Sequence, residues 1–414
     1  MKADIAVVGG GIIGLCCAYY LQKEGRKVMI IDRTTLDHGA SYVNAGYISP
    51  SHLVPLSSPG MPRKAVKYMF DPDSPFYLKP KPEASLLRWC WQFYRHSTKK
   101  HVDRCAPFLK RFNETSQSLY EQIADEEKLN CGYSKRGILK LCRTKERFVQ
   151  EKISADFARN QGLEVKMITP EELKEYEPLF TPVVAGAVIY MDDALLTPQD
   201  FMRQMKALLI RKGVRIMDNL PVEGFKFSNG LPYAAQNNGE DIAFSEIVIA
   251  GGAWSPELMK YLGKRLLLQA GKGYCIEMDN PGVRYPAILS ESNVAVSPMG
   301  EKLRLGGTME LAGNNERITR RRVRAIRDAV ARYYPNLSLN DDILSTARIG
   351  LRPVSPDGMP YIGPLADMPN VYLATGHGMM GMSQGPATGK LISDMILQRP
   401  SSIDVSLFNP GRFS

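Results

Sequence analysis

The chain opens with ADIAVVGGGIIG at residues 3–14. The apolar run 3–8 predicts a buried strand, and the apolar-rich segment from Ile12 to Lys23 predicts a helix. Residues 27–31, Lys27 followed by four apolar residues, form a second segment of strand length. Strand, glycine turn, helix and strand in this order predict a βαβ unit, which places the chain in the α/β class.

The glycine turn matches the pattern GxGxxG at Gly9, Gly11 and Gly14. In dinucleotide-binding units the first glycine allows a tight turn and the second lets the backbone approach a pyrophosphate. The third lets the helix pack closely on the strand. The pyrophosphate is then expected at the helix N-terminus, at Ile12 and Ile13, where amide groups and the helix dipole favour anions.

A carboxylate follows this turn at the expected distance. Asp32 comes 18 residues after Gly14, directly behind the second strand, and Arg33 is next to it. A carboxylate at this position accepts hydrogen bonds from the ribose hydroxyls. The turn therefore predicts a dinucleotide site, but by itself it does not distinguish FAD from NAD. The alternative is a glycine turn without a ligand.

Composition narrows the class of protein further. The 414 residues are 44% hydrophobic and 23% charged, with 53 Lys and Arg against 43 Asp and Glu, which indicates a globular protein of about two domains. No zinc-type cysteine spacing or RNA-binding aromatic motif occurs, so neither a metal site nor a nucleic-acid partner is predicted. The seven cysteines form no framework, and no signal peptide or membrane span is evident, so a cytoplasmic location is expected.

The predicted secondary structure varies along the rest of the chain. Prolines interrupt residues 50–82, and an antiparallel sheet is predicted within 272–307. Cap signals at Thr169 with Glu172, and at Thr197 with Pro198, each predict a helix start. Further helices are predicted at 84–101, 106–129, 317–334 and 383–397, and further strands at 214–217, 246–250, 345–351 and 371–375.

Four more segments accompany the glycine turn: SYVNAGY at 41–47, GGAWS at 251–255, GLRPVSPDG at 350–358 and GHGMMG at 376–381. As a set, in this order, they make the chain resemble the FAD-dependent D-amino-acid oxidase superfamily. That superfamily includes glycine oxidase, sarcosine oxidase and bacterial D-amino acid dehydrogenases. The stretches 44–50, 59–65 and 89–91 are most similar to the small subunit of the bacterial dehydrogenases.

The resemblance implies a Rossmann-type FAD-binding domain interleaved with an α+β substrate domain built on an antiparallel sheet. The FAD-binding domain is expected at 1–70, 145–180, 198–265 and 345–414. The substrate domain is expected at 71–144, 181–197 and 266–344.

The resemblance also implies which residues hold the cofactor. The loop 41–46 is expected at the pyrophosphate and flavin, and Val222, on a strand, at the adenine. The glycine segment after residue 250 is expected to pass close to the cofactor, and the start of the last helix to lie at the flavin pyrimidine. Since no cysteine follows Cys275, the FAD is predicted to be non-covalent. The residues concerned are Ser41, Asn44, Ala45, Gly46, Val222, Gly251, Gly252, Trp254, Gly378, Met379, Gly381 and Met382.

For the substrate, the resemblance points to Arg352, because a guanidinium holds a carboxylate through two parallel charge-assisted hydrogen bonds. Tyr47 and Tyr274 are candidates as hydroxyl donors or lids, and His377 as a contact of flavin or substrate. A structural salt bridge is the alternative for Arg352, ordinary packing is the alternative for the two tyrosines, and a satisfied structural histidine is the alternative for His377. His52 is a weaker candidate.

The implied reaction is oxidative deamination of a D-amino acid. A hydride passes from Cα to flavin N5, and the imine product hydrolyses to a 2-oxo acid and ammonia. No catalytic base is predicted. A quinone or another carrier is expected to accept the electrons, and the helix with Trp89 and Trp91, flanked by basic residues, leaves peripheral contact with the inner face of a membrane open.

Three alternatives stay open at this point. The first is a D-hydroxyproline dehydrogenase, and the second is an oxygen-using amine oxidase of the glycine or sarcosine type. The third is an FAD-dependent tRNA-modifying enzyme or a non-catalytic flavin subunit, which the basic charge favours and Arg352 disfavours.

Overall fold

The computed structural model describes residues 3–69, 76–79, 83–401 and 403–413, and its elements are numbered along the chain. The helices are α1 (Ile12–Lys23), α2 (Gly39–Tyr42), α3 (Met61–Met69), α4 (Ala84–His96), α5 (Lys99–Glu127), α6 (Lys145–Asn160), α7 (Leu173–Tyr176), α8 (Pro198–Arg211), α9 (Ser255–Tyr261), α10 (Arg320–Tyr333) and α11 (Gly381–Ile396). The strands are β1 (Ile5–Val8), β2 (Val28–Ile31), β3 (Tyr47–Ile48), β4 (Phe76–Leu78), β5 (Ile138–Cys142), β6 (Val165–Ile168), β7 (Gly186–Tyr190), β8 (Ala194–Leu195), β9 (Arg215–Met217), β10 (Gly224–Ser228), β11 (Leu231–Asn237), β12 (Glu240–Ala243), β13 (Glu246–Ile249), β14 (Gln269–Asp279), β15 (Ala287–Leu289), β16 (Val294–Met299), β17 (Lys302–Leu311), β18 (Arg348–Val354), β19 (Tyr361–Leu365) and β20 (Met368–Thr375).

The first sheet grows outward from the predicted βαβ unit. Its strand order is β19-β20-β13-β1-β2-β9, and every pair is parallel except β19 with β20. One face packs on α1, α5, α8 and α11. The other face packs on α9 and on the antiparallel meander β10-β11-β12. Both faces are covered, so the strands are continuously apolar, as in other parallel sheets. The predicted α/β opening is confirmed.

The second sheet is mixed and mainly antiparallel. Its order is β18-β14-β17-β16-β15-β5-β7-β6, with β4 added beside β17. Only two of its pairs, β15 with β5 and β17 with β4, are parallel. Helix α10 packs on one face over a core of aliphatic residues and Tyr333. The opposite face is turned toward the carboxyl ends of the first sheet's strands.

Sheet membership differs from the predicted domain ranges in two places. Strand β6 lies within 145–180 and β18 within 345–414, which the sequence assigns to the FAD-binding domain, yet both pair in the second sheet. Strands β6 and β18 are the two edge strands of the second sheet, and an apolar run in the sequence does not show which sheet its strand joins. The other domain bounds stay predictions, and the boundary between 70 and 71 lies outside the described residues, as do 70–75 and 80–82 of the proline-rich stretch.

Four local predictions are wrong in detail. The helix predicted to start at Thr169 begins at Leu173 instead. The helix predicted at 84–101 ends at His96, because Thr98 accepts a hydrogen bond from the His101 amide and starts α5, which replaces the helix predicted to begin at residue 106. The strand predicted at 345–351 begins at Arg348, since residues 341–346 form a 3₁₀ turn. Val222 lies in the loop before β10 and not on a strand.

None of the described helices is long and apolar enough to cross a bilayer.

Candidate active site

A cavity of about 910 Å³ lies between the carboxyl edge of the first sheet and the face of the second. This volume is at the upper end of the range for small-molecule and cofactor pockets. The structure brings almost all predicted site residues to its wall: Gly9, Gly11, Ile12, Ile13, Asp32, Arg33, Ser41, Asn44, Ala45, Tyr47, Val222, Gly251, Gly252, Trp254, Tyr274, Arg352, His377, Gly378, Met379, Gly381 and Met382.

The two exceptions, Gly14 and Gly46, lie behind the wall. A Cβ atom at Gly14 would be 1.8 Å from the Gly9 carbonyl oxygen, so this glycine lets α1 press against the turn. Gly46 has a φ of +78°, and a Cβ there would be 2.1 Å from the Leu196 carbonyl oxygen. Both residues shape the wall without facing the cavity.

The glycine turn packs closely against the neighbouring backbone at the edge of the cavity. Gly9 has a φ of +110°, and its Cβ would meet the Ala250 carbonyl oxygen at 2.4 Å. The side chain of Ser41 accepts a hydrogen bond from the Ile12 amide at 3.1 Å, which occupies one of the free donors of α1. Helix α1 has no acidic residue in its first turn. Its N-terminus therefore presents positive electrostatic potential to the cavity.

Asp32 closes the same turn from the end of β2. One carboxylate oxygen accepts the Gly10 amide at 2.6 Å, and the other accepts the amide and hydroxyl of Thr34 at 2.8 and 2.7 Å. Next to it, the guanidinium of Arg33 stacks 3.8 Å from the ring of Trp254. Asp32 is therefore fixed in position at the cavity wall before any ligand arrives.

The loop after α2 is tied to the second sheet by a residue that the sequence analysis missed. Arg304 is buried, pairs with Glu277, and donates hydrogen bonds to the carbonyls of Tyr42 and Asn44. Asn44 in turn accepts the Gly46 amide at 2.8 Å. Because Arg304 lies 260 positions from this loop, no local pattern indicated the contact.

His377 anchors the beginning of α11. Its Nε2 lies 2.9 Å from the Thr388 hydroxyl, and that hydroxyl donates its own proton to the Gln384 carbonyl. His377 must therefore donate from Nε2. Burial lowers the pKa of His377 to about 3, so the ring is neutral at physiological pH. This arrangement makes His377 a brace for the helix start, where the Gly378 amide also donates to the Pro353 carbonyl.

Arg352 lies within β18, and its guanidinium covers Gly273 of the neighbouring strand. A Cβ at Gly273 would be only 2.3 Å from Nη1 of Arg352, so only glycine leaves room for this side chain. Nη1 donates to the Thr308 carbonyl at 2.6 Å. Burial lowers the pKa of Arg352 to about 10, which leaves it charged at neutral pH. Among the described residues no carboxylate forms an ion pair with it.

The Thr308 carbonyl is turned toward Arg352 by an unusual backbone. Thr308 has a φ of +64°, which is rare for a β-branched residue and costs free energy. It lies where the pairing of β14 with β17 shifts register, between Lys272 and Tyr274. This bulge, which no sequence pattern indicated, re-aims the strand beside the cavity.

The two tyrosines contribute rings and not hydroxyls. The Tyr47 hydroxyl lies 2.9 and 3.0 Å from the carbonyls of Ala287 and Val296 and donates to them. The Tyr274 hydroxyl donates to Glu310 at 2.9 Å, a buried carboxylate that Lys272 and Arg322 also face at 3.6 Å. Their predicted role as hydroxyl donors to the substrate is therefore not what the structure favours, although both rings line the cavity.

These features fit a dinucleotide at one end of the cavity and an anion at the other. Gly9 and Gly14 let the turn pack closely on Ala250 and on α1, Asp32 is placed for hydroxyl groups, and Arg352 is a half-buried cation without a carboxylate partner among the described residues. None of the seven cysteines lines the cavity. Within the described residues, no cluster of side chains suited to a metal ion occurs.

Comparison with known proteins agrees with this geometry. The family model described as "DAO: FAD dependent oxidoreductase" matches residues 4–395. D-amino acid dehydrogenases of Helicobacter pylori and Granulibacter bethesdensis are 28% and 29% identical, over 99% and 97% of both chains. Glycine oxidase from Geobacillus kaustophilus superposes with a TM-score of 0.79 at 22% identity, covering 100% of this chain and 99% of its own, which shows a shared fold.

Proposed function

From the premise that the chain belongs to the DAO family of FAD-dependent oxidoreductases, we propose that it oxidises free D-amino acids at Cα. Two relatives of nearly equal length are named D-amino acid dehydrogenases, which supports this substrate class. The products are a 2-oxo acid and ammonia, released when the imine hydrolyses in water.

Arg352 is the observation that carries the proposal. A guanidinium that is half-buried in the cavity wall, without a carboxylate partner among the described residues, has an unmet preference for an anion that a ligand could supply. Its position on β18 is fixed by the Thr308 carbonyl and by the space over Gly273. A substrate carboxylate would complete the charge pair and fix the orientation of Cα in the cavity.

Bound FAD supplies the oxidising power by accepting a hydride from Cα at N5. The protein's own residues hold and orient the reactants. We assign the pyrophosphate to the N-terminus of α1, the ribose to Asp32, the adenine to the backbone at Val222, and the flavin pyrimidine to the start of α11. Tyr47 and Tyr274 form walls of the substrate space. We assign no general base, and the FAD is proposed to be non-covalent.

The electrons are proposed to pass on to a quinone or another carrier. Production of hydrogen peroxide at the rate of substrate oxidation would instead indicate an oxygen-using amine oxidase. Preference for a cyclic imino acid would indicate a D-hydroxyproline dehydrogenase. A dye-reduction screen over D- and L-amino acids, glycine, sarcosine and proline derivatives separates these outcomes.

The central experiment replaces Arg352. Arg352→Ala is expected to keep FAD bound. It should lower kcat/KM for a good D-amino acid by an amount that corresponds to several kcal/mol of lost transition-state stabilisation, because both affinity and orientation depend on the guanidinium fork. Arg352→Lys should recover only part, since an ammonium cannot form the fork. Arg348→Ala, four residues earlier on the same strand and exposed, is the matched control and should keep wild-type activity.

Steady-state dye reduction and the flavin absorbance spectrum are the two measurements. Near-normal kcat/KM in Arg352→Ala would show that the carboxylate is held elsewhere. Wild-type activity of Arg348→Ala alongside loss of flavin in Arg352→Ala would show that Arg352 supports the cofactor site and not the substrate.

A further inference from the structure

Helix α4 has two apolar faces, and only one of them is covered. Leu86, Trp89 and Phe93 point inward, where the Trp89 indole donates to the Val354 carbonyl at 3.0 Å and its ring stacks on Phe93. This face holds α4 against β18, the strand that carries Arg352. Two of the four Trp, Phe and Tyr residues of the helix, Trp89 and Phe93, are therefore buried in the protein.

The other face points to solvent. Leu87, Trp91 and Tyr94 follow the spacing i, i+4, i+7, so they lie on one side of the helix, and they are 64%, 58% and 62% exposed. The rings of Trp91 and Tyr94 stack on each other, 6.2 Å apart. A soluble monomer rarely leaves such a contiguous aromatic stripe open unless it binds something.

The surroundings of this stripe are basic. Helix α4 carries Arg88 and Arg95, and α3, which packs in the same apolar cluster as Trp89, carries Arg63, Lys64 and Lys67. Neither helix contains an acidic residue, although the exposed Glu83 at the N-cap of α4 is acidic. At about 100° per residue, Arg88 and Arg95 lie beside the stripe and not opposite to it. Aromatic residues bordered by basic ones match the boundary between lipid headgroups and acyl chains.

We propose that the exposed faces of α3 and α4 form a docking surface for an anionic lipid bilayer. Leu87, Trp91 and Tyr94 enter the headgroup region, and the basic side chains attract the anionic headgroups. A second copy of the chain is a poorer occupant, because a two-fold contact would place this positive surface against itself.

The surface is continuous with the cavity. Met61, Lys64 and Tyr68 of α3 line the cavity wall, and α3 also packs in the apolar cluster that contains Trp89. Docking through α3 and α4 would therefore bring this side of the cavity next to the bilayer. A lipid-soluble electron acceptor would reach the protein there.

The test measures binding of the FAD-loaded protein to vesicles, without substrate, so that it does not depend on the proposed reaction. Wild-type protein should co-sediment with vesicles of phosphatidylcholine and phosphatidylglycerol, bind pure phosphatidylcholine weakly, and lose binding as salt is raised. The triple serine variant, which combines Leu87→Ser, Trp91→Ser and Tyr94→Ser, should bind the anionic vesicles at least about tenfold more weakly than the wild type.

Two controls match these changes. Val149→Ser with Ile153→Ser removes an equally exposed apolar pair from α6, at 54% and 61% exposure, and should keep wild-type binding. Lys67→Glu with Arg95→Glu should abolish binding, whereas Arg324→Glu on α10 should reduce it little.

The proposal would be overturned by no binding of wild-type protein to anionic vesicles at low salt, by undiminished binding of the triple serine variant, or by equal losses in the control variants. Self-association that disappears in the serine variant, without any vesicle binding, would assign the surface to a second copy and would also overturn it. Flavin absorbance confirms that every variant is folded and loaded.

Discussion

Asp32 offers the most quantitative test of the cofactor end of the cavity. Its carboxylate already accepts three hydrogen bonds, from the Gly10 amide and from the amide and hydroxyl of Thr34. Its remaining lone pairs are proposed to accept the ribose hydroxyls of FAD. Asp32→Ala removes both sets of bonds, so it should change two measurable quantities and not only one.

The expected magnitudes follow from these bonds. Losing hydrogen bonds between the ribose and a charged acceptor should weaken FAD binding by about 1–3 kcal/mol, which is about 5- to 140-fold in Kd. Losing the three internal bonds, in a partly buried turn that water can reach, should lower the stability of the apoprotein by about 1–2 kcal/mol. Titration of the apoprotein with FAD, followed by flavin fluorescence, gives the first quantity, and urea unfolding gives the second.

Asp4→Ala is the matched control. Asp4 precedes β1 at the end away from the cavity, and its carboxylate accepts the Lys27 amide at 3.2 Å. Its loss should lower stability slightly and leave the Kd for FAD unchanged. If Asp32→Ala lowers stability but binds FAD as tightly as the wild type, Asp32 braces the turn and does not hold the ribose.

Three further predictions follow from individual contacts. Gly14→Ala places a methyl group 1.8 Å from the Gly9 carbonyl oxygen, so the protein should unfold or lose flavin. In the control Gly381→Ala the new methyl group has its nearest neighbour, the Cβ of His377, at 3.7 Å, so this variant should fold normally by circular dichroism. Burial raises the pKa of Asp193 to about 6, so this carboxyl favours folding below its unfolded pKa and loses that contribution as pH rises through about 6. Asp193→Asn can keep the bond from the Ser51 amide through its oxygen, and its Nδ2 can donate to the Ser51 hydroxyl in place of the second bond. It should therefore raise the unfolding free energy at pH 8, by about 3 kcal/mol at most, and have little effect near pH 4; equal effects at both pH values would contradict this. Acid precipitation should leave the flavin in the supernatant, and yellow precipitate would show a covalent link.

Local signals in the sequence predicted local structure well. The glycine turn, α1 and β2 are all present, because strand, turn and helix here are set by residues within about thirty positions. Thr169 and Glu172 form the predicted reciprocal hydrogen bonds, of 3.2 and 2.8 Å, but these bonds close a turn, and α7 begins only at Leu173 with Glu172 as its N-cap. Where α4 ends was not predictable from apolar spacing, because the pattern continues past His96 and only the cap at Thr98 interrupts it.

At the site, the difference between local features that the sequence predicts and long-range contacts that it does not predict is larger. The resemblance pointed to Arg352, but what makes it available to a ligand is a set of contacts with residues far away in the chain. Thr308 has a positive φ, which is rare for threonine, and Gly273 on the neighbouring strand β14 has no side chain, so the guanidinium can lie over it. Neither feature has a local signature, since a threonine and a glycine are ordinary residues in a strand.

The tyrosines show why residue type alone does not fix a role. A hydroxyl in a cavity wall predicts a donor to the substrate, and the sequence offered two such groups in Tyr47 and Tyr274. Each hydroxyl instead has a protein partner, the Ala287 and Val296 carbonyls in one case and Glu310 in the other. Moving the Tyr47 hydroxyl to a substrate would break its bonds to these carbonyls. Moving the Tyr274 hydroxyl would take a donor away from Glu310 and leave that carboxylate with Lys272 and Arg322. We propose that Arg352 holds the substrate carboxylate, so its replacement is expected to separate substrate binding from cofactor binding better than a change at either tyrosine.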